Sequence, residues 1–400
     1  MRALIIGAGI GGPAAAVALR RAGIEPVICE ARAAPAASSG LFLGLGINGM
    51  RVLRELGLLD DVLSRGAVPT PRLEFLSATG RRRLGAVPMG RLDERTPSVT
   101  LTRSTLQQAL VEAARDRGIT IHHGRRFVDY RETSDGIVAR FDDGSEIEAD
   151  LLIAADGIHS AVRRAAFPDA PAPSYAGQLN LGGFVRDSGL PPTPDAMRMV
   201  WGWRAFFGYT VQENGEAWWF ANVGEARAPR RGELEAVSTE EWRRRLLALF
   251  ADDAPFIARL IEATPEITAT SIHDLPSLPA WHRGRVVLMG DAAHAVSPSS
   301  GQGASLALED AIVLAKCLRD VTPVESALAR YEALRRPRAE RIVADGRRRG
   351  TYKALRSRAA VRLRDLVMPL ALRVFANGQR LAWIHDYRVR WDEPVTGRAA

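Results

Sequence analysis

Leu4-Ile5-Ile6-Gly7-Ala8-Gly9-Ile10-Gly11-Gly12, followed by the apolar run Val27-Ile28-Cys29 and then Glu30, is the stretch that decides the fold. It reads as a strand, a tight glycine turn, a helix start and a second strand that ends in an acid. Gly7 makes the turn, Gly9 allows close backbone approach to a pyrophosphate, and Gly12 allows the helix to pack on its strand. Gly11 lies within the same run. The free N–H groups at the helix start, on the positive end of its dipole, suit phosphates. Glu30 is spaced to accept the hydrogen bonds of a ribose diol. The pattern predicts a dinucleotide site at the opening of an α/β fold.

Working outward, 400 residues suggest two or three domains, and 46% hydrophobic with 25% charged residues is ordinary globular composition. No apolar run reaches the roughly eighteen residues of a membrane span. Ala3–Ile6 is too short for a signal peptide and already belongs to the nucleotide motif. Two cysteines, Cys29 in a strand and Cys317 in a helix, make no disulfide framework and fit a reducing, cytoplasmic setting. The net charge of +8 is carried almost entirely by arginine, Lys316 and Lys353 being the only lysines. Arginines between Arg330 and Arg390 alternate with Leu, Val and Ala at helical spacing, which predicts a solvated helix face. No nucleic-acid motif accompanies them, so no nucleic-acid partner is expected.

Further along, a loop over Ala31–Gly40 is followed by an amphipathic helix over Leu45–Leu59, stopped at Gly57. Strands are expected within 68–97, and a helix over Thr102–Arg117 with Thr102 as its cap. Strand-like pieces at Ile119–His122, Phe127–Tyr130, Ile137–Phe141 and Glu146–Glu148 are separated by Asp135-Gly136 and Asp143-Gly144, which mark hairpin turns. After a short strand at Asp150–Ala155, the proline-rich 168–173 leads into aromatic strands over Leu179–Val223 and a helix at Thr239–Ala251. The chain then returns through a strand at Gly284–Gly290 and a long helix at Ser305–Leu318. The second lobe therefore reads as an insertion into the nucleotide fold.

Two more motifs stand out. In Ala154-Ala155-Asp156-Gly157-Ile158-His159-Ser160-Ala161-Val162-Arg163, a strand ends in an acid and a glycine before a helix starts. In Gly290-Asp291-Ala292-Ala293-His294, a strand delivers an acid to its carboxyl end, where open α/β sheets bind ligands. The loop after it, through Pro298 to Gly301-Gln302-Gly303-Ala304, feeds a second helix start with aimed N–H donors.

With these three motifs in order, the chain resembles the class A FAD-dependent aromatic hydroxylases, the para-hydroxybenzoate hydroxylase-like flavoprotein monooxygenases. Arg103 at the head of its helix and the ending Trp383-Ile384-His385-Asp386-Tyr387 also match the family pattern. The resemblance implies an α/β fold: a Rossmann-like FAD-binding domain, an inserted mixed β-sheet substrate domain and C-terminal helices. The expected boundaries are 1–70, 98–170 and 276–325 for FAD, 71–97 and 171–275 for substrate, and 326–400 for the helices. It implies that Gly7, Gly9, Gly11 and Gly12 hold the pyrophosphate, Glu30 the adenosine ribose, and Arg103 the ribityl or phosphate region. Asp156 would touch FAD and the transient nicotinamide cofactor. Gly290 and Asp291 would serve the ribityl chain or pyrophosphate, while Pro298, Gly301, Gln302, Gly303 and Ala304 would line the isoalloxazine edge. Two departures are visible: Ser305 replaces a common Asn, and Ala31 takes the place of the basic residue that usually follows the strand-two acid, with Arg32 one position later.

The implied reaction uses NADPH or NADH and O2, with oxygen transferred from a C4a-hydroperoxyflavin to an aromatic or polyketide-like small molecule. Baeyer–Villiger insertion, epoxidation and dehydrogenation remain open within the fold, and a non-catalytic nucleotide-binding protein is the rival from another class. The histidines show no metal-ligand spacing, so no metal is expected; His294 is expected to pack or cap rather than to catalyse. Trp201, Trp203, Phe206, Phe207, Tyr209, Trp218, Trp219 and Phe220 form a dense aromatic cluster, half of which should be sheet core. Trp201, Trp203, Phe207, Tyr209 and Trp219 are the candidates for the substrate pocket, and Tyr209, Gln212 and Arg204 for substrate activation. The oligomeric expectation is a monomer or homodimer.

Overall fold

The computed structural model describes residues 1–33, 41–275, 277–351, 358–375 and 378–395. The predicted loop Ala31–Gly40 therefore lies largely outside the described residues. The strand Arg2–Ile6 sits in a six-stranded sheet whose neighbours, in order, are His282–Arg283, Val286–Leu288, Leu151–Ala154, Arg2–Ile6, Glu25–Glu30 and Thr120–His123. All but the first of these run parallel. Parallel strands covered on both faces read as continuous apolar runs, and Ala3, Leu4, Ile5 and Leu151–Ala154 are fully buried.

The helix Gly11–Arg21 leaves the first strand and packs on the helix Gly303–Asp320. That second helix is buried all round, including Glu309 and Asp310. Its strand Val286–Leu288 pairs in parallel with Leu151–Ala154, so the chain does return to the nucleotide sheet. The helix Arg103–Asp116 begins as expected, with the Thr102 hydroxyl accepting from the Thr105 N–H at 3.1 Å. The expected helix over Leu45–Leu59 is shorter, Ile47–Glu55, and a separate turn of helix, Leu59–Ser64, follows Gly57. The meander Phe127–Glu132, Ile137–Phe141 and Glu146–Ala149 turns at the two Asp-Gly pairs.

A seven-stranded mixed sheet draws on two stretches of chain, in the order Thr268–Asp274, Ser174–Val185, Ala217–Gly224, Phe206–Val211, Ala196–Trp201, Arg72–Ser77 and Arg83–Pro88. The join between the stretches is the parallel pairing of Arg72–Ser77 with Ala196–Trp201. One face is covered by the helices Thr239–Leu249 and Pro255–Ala263. The second of these escaped the sequence reading, although Pro255 at its first turn and Ile257, Leu260 and Ile261 at helical spacing announce it.

The C-terminal helices are Val324–Thr351, Arg358–Phe375 and Gly378–His385. Their arginines are only in part the solvated face expected. Arg335 is fully buried and Arg338 nearly so, because each meets a carboxylate of the buried helix Gly303–Asp320.

Candidate active site

Strand register brings the three motifs together. Ile6 lies level with Cys29 on one side and Ala154 on the other, and Ala154 is level with Leu288. The chain therefore leaves four adjacent parallel strands at one edge, delivering Gly7, Glu30, Ala155-Asp156 and Met289-Gly290-Asp291 to the same crevice. Backbone bonds continue the pairing past the strands: Gly7 N to Cys29 O at 2.8 Å, Ala155 N to Ile6 O at 2.9 Å and Met289 N to Ala154 O at 3.0 Å.

Each glycine of the first turn has its own surroundings. Gly7 has φ +110°, and a Cβ there would lie 2.4 Å from Ala155 O. A Cβ on Gly12 would lie 1.9 Å from Gly7 O, so close helix–strand packing demands its absence. Gly11 sits against Met289 and Ala307. Among the described residues, a Cβ on Gly9 would meet no atom within 4 Å. Gly9 thus faces open space at a helix N-terminus, the cradle that a pyrophosphate requires. Glu30 accepts from Ala8 N at 2.8 Å and Arg32 N at 3.0 Å, which fixes the carboxylate beside the turn and leaves lone pairs on both oxygens. Arg32 itself is exposed. Gln107, not singled out in the sequence, donates to Ala8 O at 2.6 Å and pins the turn from the neighbouring helix. Arg103 heads that helix with its side chain exposed.

Asp156 spends one carboxylate oxygen on Ala161 N (2.7 Å) and Val162 N (3.2 Å), while Oδ1 is buried without a partner among the described residues. Burial pushes its carboxyl above the ordinary range against those two bonds. Arg163 is buried and donates to Ile158 O at 2.5 Å and Ala292 O at 2.7 Å, clamping the Asp156 loop to the short helix Asp291–His294. Asp291 is exposed at the crevice. Gly290, at φ +56°, donates its N–H to Asp310 Oδ2 at 2.9 Å.

His294 lies beneath this loop, 2% exposed, with Nε2 2.5 Å from Asp310 Oδ2 and its ring tilted on Trp281. Asp310 also meets Arg335 at 2.8 Å. Burial raises its carboxyl, but His294 and Arg335 together hold it down at about 2. Glu309 meets Arg335 at 2.7 Å and Arg338 at 2.8 Å, and accepts from Asn48 Nδ2 at 2.7 Å. Asn48 also donates to Gln302 Oε1 at 2.8 Å, so this charged cluster reaches the loop before Gly303. Charge burial is tolerated only when paired in this way. No sequence signal pointed to Asn48, Glu309, Arg335 or Arg338.

The loop Pro298–Ser300 turns through Gly301 at φ +63° into the helix starting at Gly303, whose first N–H groups, as at any helix start, have no partner within the helix. Pro298 is exposed and Gln302 buried. Ser305 is buried, and its Oγ accepts from Gly46 N at 3.2 Å; a Cβ on Gly49 would lie 2.7 Å from it, so this site favours a short side chain.

Gly46 ends the strand Phe42–Leu45, and Phe42 begins the aromatic wall. Its ring packs at 5.7 Å from Trp218, 5.9 Å from Phe220 and 6.2 Å from Phe184. Met197, Met199, Phe206 and partly buried Leu73, Phe75, Trp201 and Phe220 share that face of the seven-stranded sheet. The sequence choice of Phe207, Tyr209 and Trp219 is thereby corrected. Strand side chains alternate between faces, and these three point to the helix-covered side, where Phe207 stacks on Trp219 at 5.3 Å and Tyr209 lies 4.9 Å from Phe256. Trp203 is also displaced from the wall: it lies in a turn, its N–H and indole N–H bonded to Asp253 and Asp252. Arg204 pairs with Asp252 at 3.1 Å at the surface, while Gln212, in a hairpin turn, donates to Glu216 at 3.3 Å, and that carboxylate also accepts from Trp218 Nε1 at 3.1 Å. Trp201 remains on the wall, with its buried indole Nε1 without a protein partner among the described residues. The two cysteines are free and buried, and burial pushes each thiol up to about 12.

Comparison with known proteins agrees with this arrangement. The FAD binding domain family is matched by residues 1–345. The Aurachin C monooxygenase/isomerase of Stigmatella aurantiaca is 36% identical, over 91% of this chain and 93% of that protein. An FAD-dependent urate hydroxylase of Klebsiella pneumoniae is 33% identical over 87% and 89%. Among solved structures, Klebsiella pneumoniae HpxO complexed with FAD and uric acid superposes with a TM-score of 0.82, at 30% identity, covering 94% of each chain. A glycine turn open at Gly9, acids at the ends of neighbouring parallel strands and these relatives lead to one conclusion: the chain belongs to the FAD binding domain family and is a flavin-dependent monooxygenase of the class A aromatic hydroxylases.

Proposed function

We propose that the protein hydroxylates an uncharged, planar aromatic small molecule held against the wall of Phe42, Met199, Phe206, Trp218 and Phe220. The observation that carries this reading is the chemistry of that wall. It is built from aromatic and thioether side chains, while the neighbouring ionisable Glu74 and Arg198 bond to each other, and Arg198 to Tyr209, on the opposite face. A carboxylate substrate would lose its hydration there, and Arg364, whose guanidinium lies 5.3 Å from the Trp201 ring, is already engaged by Asp365 and Trp201 O. Flat apolar rings gain stacking and area burial instead.

FAD, when bound, supplies the redox chemistry, taking hydride from NADPH or NADH and activating O2. The chain's residues divide the remaining work. The N–H groups after Gly7 and Gly9 hold the pyrophosphate, Glu30 holds the ribose diol, and Arg103 and Asp291 reach the ribityl and phosphate region. The N–H groups at Gly303 and Ala304 stabilise negative charge at the flavin edge, with Pro298, Gly301 and Gln302 shaping the loop. Asp156 sets the helix start that Arg163 clamps to the Asp291 segment. The indole N–H of Trp201 donates a hydrogen bond to a substrate oxygen, and the amide pair of Asn222 and Asn180, bonded at 2.9 Å beside Phe220, gives a second polar point. The aromatic wall excludes water. In this reading 1–70, 98–170 and 276–325 form the cofactor-holding unit, 71–97 and 171–275 the substrate unit, and the protein works in the cytoplasm.

The test is a screen of neutral phenols and quinolones beside benzoates and urate, following NADPH or NADH consumption and labelled oxygen from O2 in the product. Neutral ring systems should stimulate both. A preference for the carboxylates, or turnover without label in product, would overturn the substrate reading. Trp201→Phe should raise KM about tenfold with FAD content unchanged, the loss of one hydrogen bond to a buried group.

A further inference from the structure

We propose that the helix Arg358–Phe375 is a docking surface for an acidic phospholipid membrane. Leu363, Leu366, Val367 and Leu370 are 62%, 67%, 51% and 66% exposed. Among the described residues the other exposed large hydrophobics are Met1 and Val128, far apart in sequence, so exposure of this kind is concentrated on one helix. The spacing of the four is i, i+3, i+4 and i+7, a single stripe along the axis.

The stripe is not the side by which the helix is held. Val361 is fully buried, Leu372 fills the space over Gly85, and Arg364 donates to Trp201 O at 2.7 Å while its guanidinium lies 5.3 Å from the Trp201 ring. The helix therefore lies along the edge strand Arg83–Pro88 of the seven-stranded sheet, with its apolar stripe turned outward.

Charge selects the occupant. The helix carries four arginines against one aspartate, and that aspartate, Asp365, is paired with Arg364 at 2.7 Å. Arg362 and Arg373 are exposed near the two ends of the stripe. The hairpin that leads into the edge strand adds exposed Arg81, Arg82 and Arg83. A second copy docked about a two-fold axis would set these cations against themselves. A sheet of anionic headgroups pairs with all of them, and a convex helical ridge needs no complementary groove to enter lipid. An apolar stripe flanked by arginines is the composition of interfacial helices that lie in the headgroup region. Through the Arg364 grip on Trp201, docking would hold the edge of the aromatic wall beside the bilayer.

This inference goes beyond the reaction and is tested without substrate. The FAD-loaded full chain is sedimented with vesicles of phosphatidylcholine containing phosphatidylglycerol, and with phosphatidylcholine alone. The wild type should partition to the acidic vesicles at least tenfold more strongly than to the neutral ones, and high salt should weaken it. Leu366→Ser/Leu370→Ser should lower partitioning at least tenfold with FAD content and thermal midpoint unchanged. Arg362→Glu/Arg373→Glu, at exposed positions, should do the same and serves if the first variant folds poorly. Wild-type protein that stays in the supernatant, variants that sediment like wild type, or a wild-type dimer split by the leucine substitutions would each overturn the proposal.

Discussion

Gly9 and Gly12 stand three residues apart and face opposite surroundings, which makes them a matched pair for separating binding from folding. Gly9→Val adds atoms only to open space, so the chain should keep its circular dichroism and apo thermal midpoint yet lose FAD on gel filtration. Gly12→Ala drives a methyl into Gly7 O and should yield little folded protein. The surroundings of both glycines were legible in the sequence, because a GxGxxG between a strand and a helix asks for open space at its second glycine and close helix–strand packing at its third. Asp253 was not legible. It is buried behind the Trp203 turn, accepting from Trp203 N at 3.0 Å through Oδ1 while Oδ2 has no partner among the described residues, and burial raises its carboxyl from 3.8 to about 7. A raised acid stabilises the fold fully below its unfolded pKa, and that contribution is lost as pH rises through about 7. Asp253→Asn keeps the Oδ1 acceptor, so its stability should match wild type near pH 4 and exceed it by roughly 1–2 kcal/mol at pH 8, read as denaturation midpoints across pH.

Strands Phe206–Val211 and Ala217–Gly224 show what an element can and cannot disclose. Composition announced an aromatic sheet, but aromatic side chains stand at consecutive positions, Phe206-Phe207 and Trp218-Trp219-Phe220, so the period-two signal that sorts one face from the other is blurred. Burial on both sides, by helices on one and the aromatic wall on the other, is the reason. Phe207→Ala should therefore cost about 3–5 kcal/mol in stability and leave KM nearly unchanged. Phe220→Ala should raise KM with a smaller loss in denaturant midpoint. The helix Gly303–Asp320 presents a related case. Its partners Arg335 and Arg338 come from a run that reads as surface charge, and only the position of the helix in the middle of the molecule turns them inward. Asp310→Asn removes one of the carboxylates that face the buried Arg335 and should destabilise the protein by about 3–5 kcal/mol in chemical denaturation.

At the scale of the whole molecule, the candidate cofactor site draws on chain segments far apart in sequence, so binding there would link ligand and fold thermodynamically. FAD at about a hundred times its Kd should add about 2.7 kcal/mol of stability, visible as a concentration-dependent rise in thermal midpoint. Gly9→Val should show no such rise. The convergence of the three motifs was legible because each sits at a strand's carboxyl end, where parallel sheets place their loops on one edge. The parallel seam between Arg72–Ser77 and Ala196–Trp201 was not, since no turn residue or pattern in either stretch specifies a partner more than a hundred positions away. That seam limits engineering. The aromatic wall takes Leu73 and Phe75 from one side of it and Met199, Phe206 and Phe220 from the other. Transplanting specificity from a relative by exchanging 174–274 alone would leave a hybrid wall with mismatched halves; a chimera must carry 72–88 as well, cut at both ends.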